Sequence, residues 1–401
     1  MDRAEHTSSM EPLLLSGESK YRSELTDLSL ELAQKSAALR AGLPPGILEA
    51  LAILVRTMNC YYSNLIEGHV THPVDIERAR KGDYSQDAIK RNLQLEANAH
   101  IEVQAWIDSG GLRKEAVTTA AGLLEIHRRF CDLLPPELLI VKDLQTGDEA
   151  VVSPGTLRDR DVKVGQHIAI SPAAVPRFLR RFEEVYSGLG KTETLLATAA
   201  AHHRLLWIHP FLDGNGRVAR LMSYAQMLSI LETGGVWSIA RGLARNEKAY
   251  KEHLMACDAP RQGDLDGRGN LSEHRLALFT KFFLEVCLDQ VRFMEGLVEP
   301  NSLRTRILLW AEEEIRLGKM HVGVRKVIES LLFRGELQRG EVPGIVELGD
   351  RHTRRMIITP LLARGILSSP SERGPLRLAF PSELAPRWMP GLFPQERQHP
   401  L

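Results

Sequence analysis

The chain is short of cysteine and of aromatic residues, and it has no net charge. Its four cysteines, Cys60, Cys131, Cys257 and Cys287, lie far apart and form no C-x-x-C pair, which excludes a sequence-local zinc ribbon or dithiol redox site. They read as ordinary reduced thiols. Lys+Arg and Asp+Glu are both 51, so no global field draws the protein to nucleic acid or to an anionic membrane, and a charged partner has to be met locally. No stretch approaches the roughly 18 consecutive apolar residues of a membrane span. The N-terminal run Leu13 to Leu15 is too short for a signal-peptide core. These absences lead us to expect a cytoplasmic protein with no membrane partner.

What is present is helix. At 401 residues the chain is long enough for two or three units with a sizeable core. Residues 1–18 are polar and without periodicity, and are expected to form a disordered tail. From Pro44-Pro45, the residues Leu48, Leu51, Val55, Met58, Tyr62 and Leu65 recur every three or four positions, so a helix is predicted over about 45–68, ended by Gly68. Helical patterns follow at 87–108, 113–133, 175–186, 193–207, 216–231, 271–296 and 301–317. Between them, 161–171 (DVKVGQHIAIS) alternates around Gly165 and predicts a β-hairpin, the one clear strand pair of this half. The last 80 residues read as helix, helix, helix, hairpin, the order of a winged helix-turn-helix. The expected division is 19–115 as an N-terminal helical region, 116–300 as a core, 301–320 as a connecting helix and 321–401 as the winged-helix domain, with a boundary near Lys319.

Trp207 to Met222, WIHPFLDGNGRVARLM, is a polar glycine-punctuated loop between two apolar-striped helices. Gly214, Asn215 and Gly216 allow a tight fold that aims several amide N–H groups into one concavity, and Val218, Leu221, Met222, Ala225 and Leu228 continue from it at helical spacing. A helix N-terminus with free amides is an anion site, most often for phosphate. Arg217 and Arg220 share a face beside it and suit a polyphosphate. Asp213 offers a hard oxygen to a phosphate-bound Mg2+. His209 can accept a hydroxyl proton near neutral pH. Taken singly, His209 is better read as a helix-end or packing histidine, and the arginines as a solvated pair. Nine specified residues in twelve change that balance.

His209 to Arg220 resembles the signature loop of the Fic family at every specified position, and the resemblance extends in layout over roughly Pro45 to Gly296. It implies a mainly α, Fic-like helical core with a short hairpin flap, plus the winged helix. It further implies transfer of AMP from ATP to a Ser, Thr or Tyr hydroxyl of a target protein, which could be the chain itself. By position, His209 would be the catalytic base and Asp213 the Mg2+ ligand. Gly214, Asn215, Gly216 and Arg217 would bind phosphates, and Arg220 would clamp the γ-phosphate. The kinase-like Doc toxins carry Lys where this sequence has Gly216, which favours nucleotidyl transfer. Ser63-Asn64-Leu65-Ile66-Glu67-Gly68 resembles the family's inhibitory motif, with Ser63 and Glu67 on one helical face and Glu67 expected to pair with Arg220. The hairpin residues Val162, Val164, Ile168 and Ile170 resemble the family's target-docking flap, against the reading of a connecting hairpin. Tyr250 stands where the family often places an adenine contact, against the reading of a core tyrosine.

Two patterns are decoys. Gly188 to Thr192 resembles the end of a P-loop, but Val185 stands where its first glycine belongs. His202, His203 and His209 suggest zinc at first sight, but adjacent residues point about 100° apart on a helix and no acid or cysteine completes a set. In the last 80 residues, Arg351, Arg354 and Arg355 fall on the third helix, the recognition position of such a domain, and Arg373 and Arg377 in the wing, so DNA is a candidate partner. Residues 340–401 nevertheless carry eight Arg and no Lys against six acids, a net of only +2. The competing readings are a DNA-binding regulator with a nucleotide-sensing, non-catalytic body, and the same site used for removal of AMP or another phosphate-ester transfer. A homodimer is compatible with the sequence but marked by no residue.

Overall fold

The computed structural model describes residues 3–112, 116–142 and 149–394. Two compact units emerge, one of residues 1–36, 59–233 and 238–290, the other of 37–58, 234–237 and 291–401. The boundary expected near Lys319 therefore falls at about Val291. The helix Pro45–Ile66 begins among residues of the second unit, because its first turn packs on the backbone there: a Cβ on Gly46 would lie 2.2 Å from the Gly335 carbonyl oxygen. Gly68, at φ +84°, follows its end as expected.

At the centre of the first unit are two helices, Lys191–Ile208 and Asn215–Leu231, packed along their length. Ala197, Ala199, Ala200 and Ala201 are buried on the first of them, and their small side chains let the neighbouring backbone come close. Val175–Tyr186 covers one flank, and Ala88–Asp108 and Ala120–Asp132 cover the other. The Asp87 carboxylate caps Lys90 N–H, and Thr119 Oγ1 caps Gly122 N–H. The helix expected from 113 thus starts only at Ala120, since Gly122 sits against the Ala116 carbonyl where any Cβ would clash; 113–115 lie outside the described residues.

The predicted hairpin is present but short, pairing Lys163–Val164 with His167–Ile168 around Gly165 at φ +61°. A second hairpin, Ile140–Lys142 with Glu149–Val151, was not anticipated. Its inner residues number three per strand, too few for alternation to register.

The expected disordered tail is corrected. Beyond residues 1 and 2, which lie outside the described residues, the segment is packed: Met10, Leu13 and Leu15 are buried. Arg204, itself buried, donates to the Pro12 carbonyl at 2.9 Å, and Tyr186 Oη donates to Leu13 O at 2.7 Å. Three apolar residues without helical spacing were enough to anchor an irregular chain, because its backbone polar groups found side-chain partners.

In the second unit, Val324–Arg334, Val342–Val346 and a longer helix surround a three-stranded sheet. That longer helix runs Asp350–Thr353, a π-helical turn Arg354–Ile358, then Thr359–Ala363. Pro360 has no N–H to complete the ladder, which accounts for the wide turn before it. The strands Leu367–Ser368 and Leu376–Leu378 form the expected hairpin, and Glu336–Leu337, missed in the sequence, pairs with the latter. Val327, Ile328, Leu331, Leu337, Ile357, Leu376 and Leu378 are the core.

No single helix among the described residues is long and apolar enough to cross a membrane.

Candidate active site

The loop between the two central helices is fixed by its own residues and by two braces. His209 ends the first helix in the left-handed region, at φ +50° and ψ +64°, and Gly214 at φ +78° opens the second. Asn215 closes the turn internally: its Oδ1 accepts from Phe211 N–H at 3.0 Å and its Nδ2 donates to Phe211 O at 2.8 Å. Its side chain is therefore a loop brace, and only its backbone is left to face an anion.

His127 and Arg158 were not foreseen. The His127 ring stacks on Phe211 with centroids 3.9 Å apart, and its Nδ1 accepts from Gly155 N–H at 3.0 Å. Burial pushes its pKa down to about 4, so it stays neutral beneath the loop. The buried Arg158 donates to His209 O at 2.7 Å, to Arg160 O at 2.8 Å and to Ile170 O, while its own N–H donates to Pro210 O at 2.9 Å. One guanidinium thus joins the loop to the hairpin. A lone arginine in a loop sequence gives no sign of its several carbonyl partners.

His209 is half-buried, and its Nδ1 lies 3.3 Å from Leu206 O. With Nδ1 as donor, Nε2 keeps the lone pair and can accept a proton. Burial holds the imidazole pKa at about 4, against the opposing pull of the Leu206 carbonyl and with a smaller push in the same direction from the Arg158 charge.

Arg220 is buried and held by the two motif residues singled out in the sequence. Its Nε donates to Ser63 Oγ at 2.8 Å, and its Nη2 donates to Ser63 O at 3.2 Å and to Glu67 Oε1 at 2.5 Å. The Glu67 carboxylate also lies against the glycine turn: a Cβ on Gly216 would be 2.4 Å from Glu67 Oε1. A carboxylate stands where the amide concavity would take an anion. Burial works to raise the Glu67 pKa, but the Arg220 and Arg217 charges override it and the group is held below the usual range.

Arg217 is engaged differently from the sequence expectation. Its guanidinium is paired with the buried Glu96 and lies 3.3 Å from His69 Nδ1, which is itself 2.7 Å from Glu96 Oε2. Asp213 Oδ2 is only at 4.0 Å. Burial brings the Arg217 pKa down to about 10.

Asp213 projects outward, with its side chain 57% exposed. Crowding around the loop and the Glu67 carboxylate push its carboxyl above the ordinary range, an effect weakened by the solvent on its outer side. A carboxylate so disfavoured in its charged form gains from a cation. Among the described residues no cluster of three acidic, His or Cys side chains could cage a metal unaided. Mg2+ takes one or two carboxylates and completes its shell with phosphate and water, so Asp213 fits that role.

Two expectations are corrected. Tyr250 is 2% exposed, with its hydroxyl 2.7 Å from His202 Nε2 and its pKa raised to about 12 by burial. It is a core residue behind Arg220, with no free face for a base. Ile170, placed in the flap, is also buried, whereas Val164 and Ile168 are 48% and 64% exposed and Val162 is intermediate. His202 and His203 are structural, bonded to Ser223 and to Leu254 O with Asp258 respectively.

Residues 117–227, which include the whole loop, match the Fic/DOC family. The chain is similar to the protein adenylyltransferase Fic of Nematostella vectensis, 27% identical over 175 residues, covering 42% of this chain and 36% of that protein. It is also similar to the protein of the same name from Culex quinquefasciatus, 33% identical over 122 residues, covering 29% of this chain and 21% of that protein. The chain thus spans little more than a third, or less, of the length of these relatives. Among solved structures, a Fic family protein from Desulfovibrio desulfuricans G20 superposes with a TM-score of 0.52 at 16% identity, over 91% of this chain and 98% of that one. At that identity the likeness concerns the fold. By its loop, its helical core and this match, residues 117–227 form a domain similar to the Fic/DOC family.

Proposed function

We propose that the protein transfers AMP from ATP to a hydroxyl side chain of a protein, and that Glu67 restrains the transfer. The observation that carries the reading is the geometry around Arg220: a buried cation beside an amide concavity, capped by a carboxylate from the turn that ends the Pro45–Ile66 helix.

In this reading the ATP phosphates lie on the amides of Gly214 to Gly216, with the γ-phosphate on Arg220 once Glu67 has swung away. Asp213 would hold Mg2+, which neutralises phosphate charge when bound. The target oxygen attacks the α-phosphorus as its proton passes to His209 Nε2, and the bond from the α-phosphorus to the bridging oxygen breaks, releasing diphosphate. The low pKa of His209 keeps it in the accepting form at neutral pH. Arg158 fixes the His209 backbone against the hairpin, so base and target segment share one support. The exposed Val164 and Ile168, on an open two-stranded edge, would receive an extended target segment by strand pairing. With Glu67 in place, a carboxylate faces the phosphates and Arg220 is unavailable, so ATP is repelled or held out of line.

The test is intact-mass spectrometry of wild type, Glu67→Gly and Glu67→Gly/His209→Ala after incubation with ATP and Mg2+, with and without a cell lysate as target source. An AMP adduct that is strongest in Glu67→Gly and lost with His209 is the expected result. Absence of AMP transfer to any protein in every variant would rule the reading out.

A further inference from the structure

The arginines of residues 300–394 divide into two groups. Arg304 and Arg325 pair with Glu329, Arg316 with Glu312, Arg334 with Glu341, Arg364 with Glu314 and Arg387 with Glu313. Arg306 donates to the Trp388 and Leu297 carbonyls and Arg339 to the Gly374 carbonyl. Lys319 and Lys326 are likewise paired, with Glu314 and Glu347. Arg377, expected in the wing surface, is committed to Glu336 and Glu49 and is withdrawn from that role.

Arg351, Arg354, Arg355 and Arg373 are the exception: among the described residues they are exposed, and no ion pair or hydrogen bond engages their side chains. Three of them sit at i, i+3 and i+4 on the helix that begins at Asp350, opposite the buried Thr353, Ile357 and Ile358. The fourth is at the tip of the hairpin between Leu367–Ser368 and Leu376–Leu378. Val342–Val346 precedes that helix, joined through Glu347 in the left-handed region at φ +58°, Leu348 and Gly349, a three-residue turn of helix-turn-helix length. Asp350 and Glu372 are the acids on the same two elements, so the face keeps a surplus of +2 against these four arginines.

From this distribution we infer that the helix and hairpin tip form a binding face for double-stranded DNA. Unpaired arginines are not a default state for this region, since every other described Arg and Lys from 300 to 394 has found a partner. Four were left free on the two elements that, in a helix-turn-helix with a wing, meet the major groove and the flanking backbone. A planar guanidinium suits phosphate oxygens and the O6 and N7 edge of guanine equally, which lysine does not. The small surplus of charge points to a modest affinity dominated by a few phosphate contacts.

The experiment is fluorescence anisotropy of a labelled 30-base-pair mixed-sequence duplex with the full chain, at several salt concentrations. Wild type is compared with Arg351→Ala/Arg354→Ala/Arg355→Ala and with Arg373→Ala, each checked by circular dichroism. These side chains are exposed and make no ion pair or hydrogen bond, so the variants should keep the wild-type melting temperature. Binding is expected to be salt-dependent, and the triple variant should lose about 2.7 from the slope of log K against log salt, at roughly 0.9 per phosphate contact, with at least a tenfold loss of affinity at low salt. Arg373→Ala should lower the slope by about one contact. The inference is overturned if wild type does not bind duplex at low salt, if the folded triple variant binds as well as wild type, or if the arginines are needed only for an acidic peptide and not for DNA. The readout is independent of ATP, so it stands or falls apart from the proposed transferase activity.

Discussion

Replacing Glu67 by glycine removes the carboxylate that caps Arg220 and faces the Gly216 turn, and the size of the effect can be worked from those contacts. Two like charges about 4 Å apart repel by about 4 kcal/mol at an effective dielectric constant of about 20. The Glu67 side chain is 33% exposed, so solvent screening brings the repulsion between it and a bound phosphate to about 2 kcal/mol. At about 1.4 kcal/mol per tenfold, the initial rate of AMP transfer should rise roughly 30-fold. Glu67→Gln, which keeps the shape and loses the charge, should recover most of that gain. Glu67→Gly/Arg220→Ala should lose it, because the freed clamp is then missing. Initial rates with radiolabelled ATP at saturating target measure all three. The same substitution removes the one carboxylate that pairs with the buried Arg220 and leaves it its bonds to Ser63, so without nucleotide the variant should melt below wild type and be rescued more strongly by ATP and Mg2+. A Glu67→Gly rate within twofold of wild type, in a protein shown to bind ATP and remain folded, would refute the restraint.

The pH dependence follows from two groups. Glu67 is held below its ordinary range, so the latch it forms is complete above the unfolded carboxylate value and lost only as pH falls through the lower folded value. The ratio of Glu67→Gly to wild-type rates should therefore be flat from about pH 6 to about pH 9. His209 titrates at about 4, so the acid limb of the Glu67→Gly rate should lie near that value and not near 6.5, the ordinary imidazole value; a limb at 6.5 would mean that the burial argument fails. Because the unfolded histidine takes up its proton first, its contribution to stability falls as pH drops from about 6.5 towards 4. Arg158→Ala removes four carbonyl contacts, one of them long, and should cost about 3 kcal/mol by chemical denaturation, with a larger fall in kcat than in ATP affinity. Met10→Ala should cost about 3 kcal/mol, an effect that an unstructured tail would not produce.

The helical framework was legible because its apolar stripes repeat every three or four residues over many turns. The bounds at Val175–Tyr186 came out as expected, and those at Asn215–Leu231 came within one residue. Short elements were not legible: the Ile140–Lys142 and Glu336–Leu337 strands are too brief for a period to emerge. The division into units was missed because residues 37–58 join a compact unit far away in sequence, and nothing in a linear pattern records that.

What the sequence determined by itself is the local chemistry of residues 209–220. The left-handed His209 and Gly214, the Asn215 brace and the opening of a helix at an amide concavity all arise within twelve residues, where spacing alone sets geometry. The Ser63 and Glu67 pair was also legible from spacing: Ser63 lies in the last turn of the Pro45–Ile66 helix and Glu67 just beyond it, and both meet Arg220. Only the tertiary structure decided that Arg217 belongs to Glu96, that Arg158 joins the loop to the hairpin and that Tyr250 and Ile170 face inward. Each of these is a choice of partner made by packing between distant segments, and a residue's type says that it can form such a contact without saying with whom.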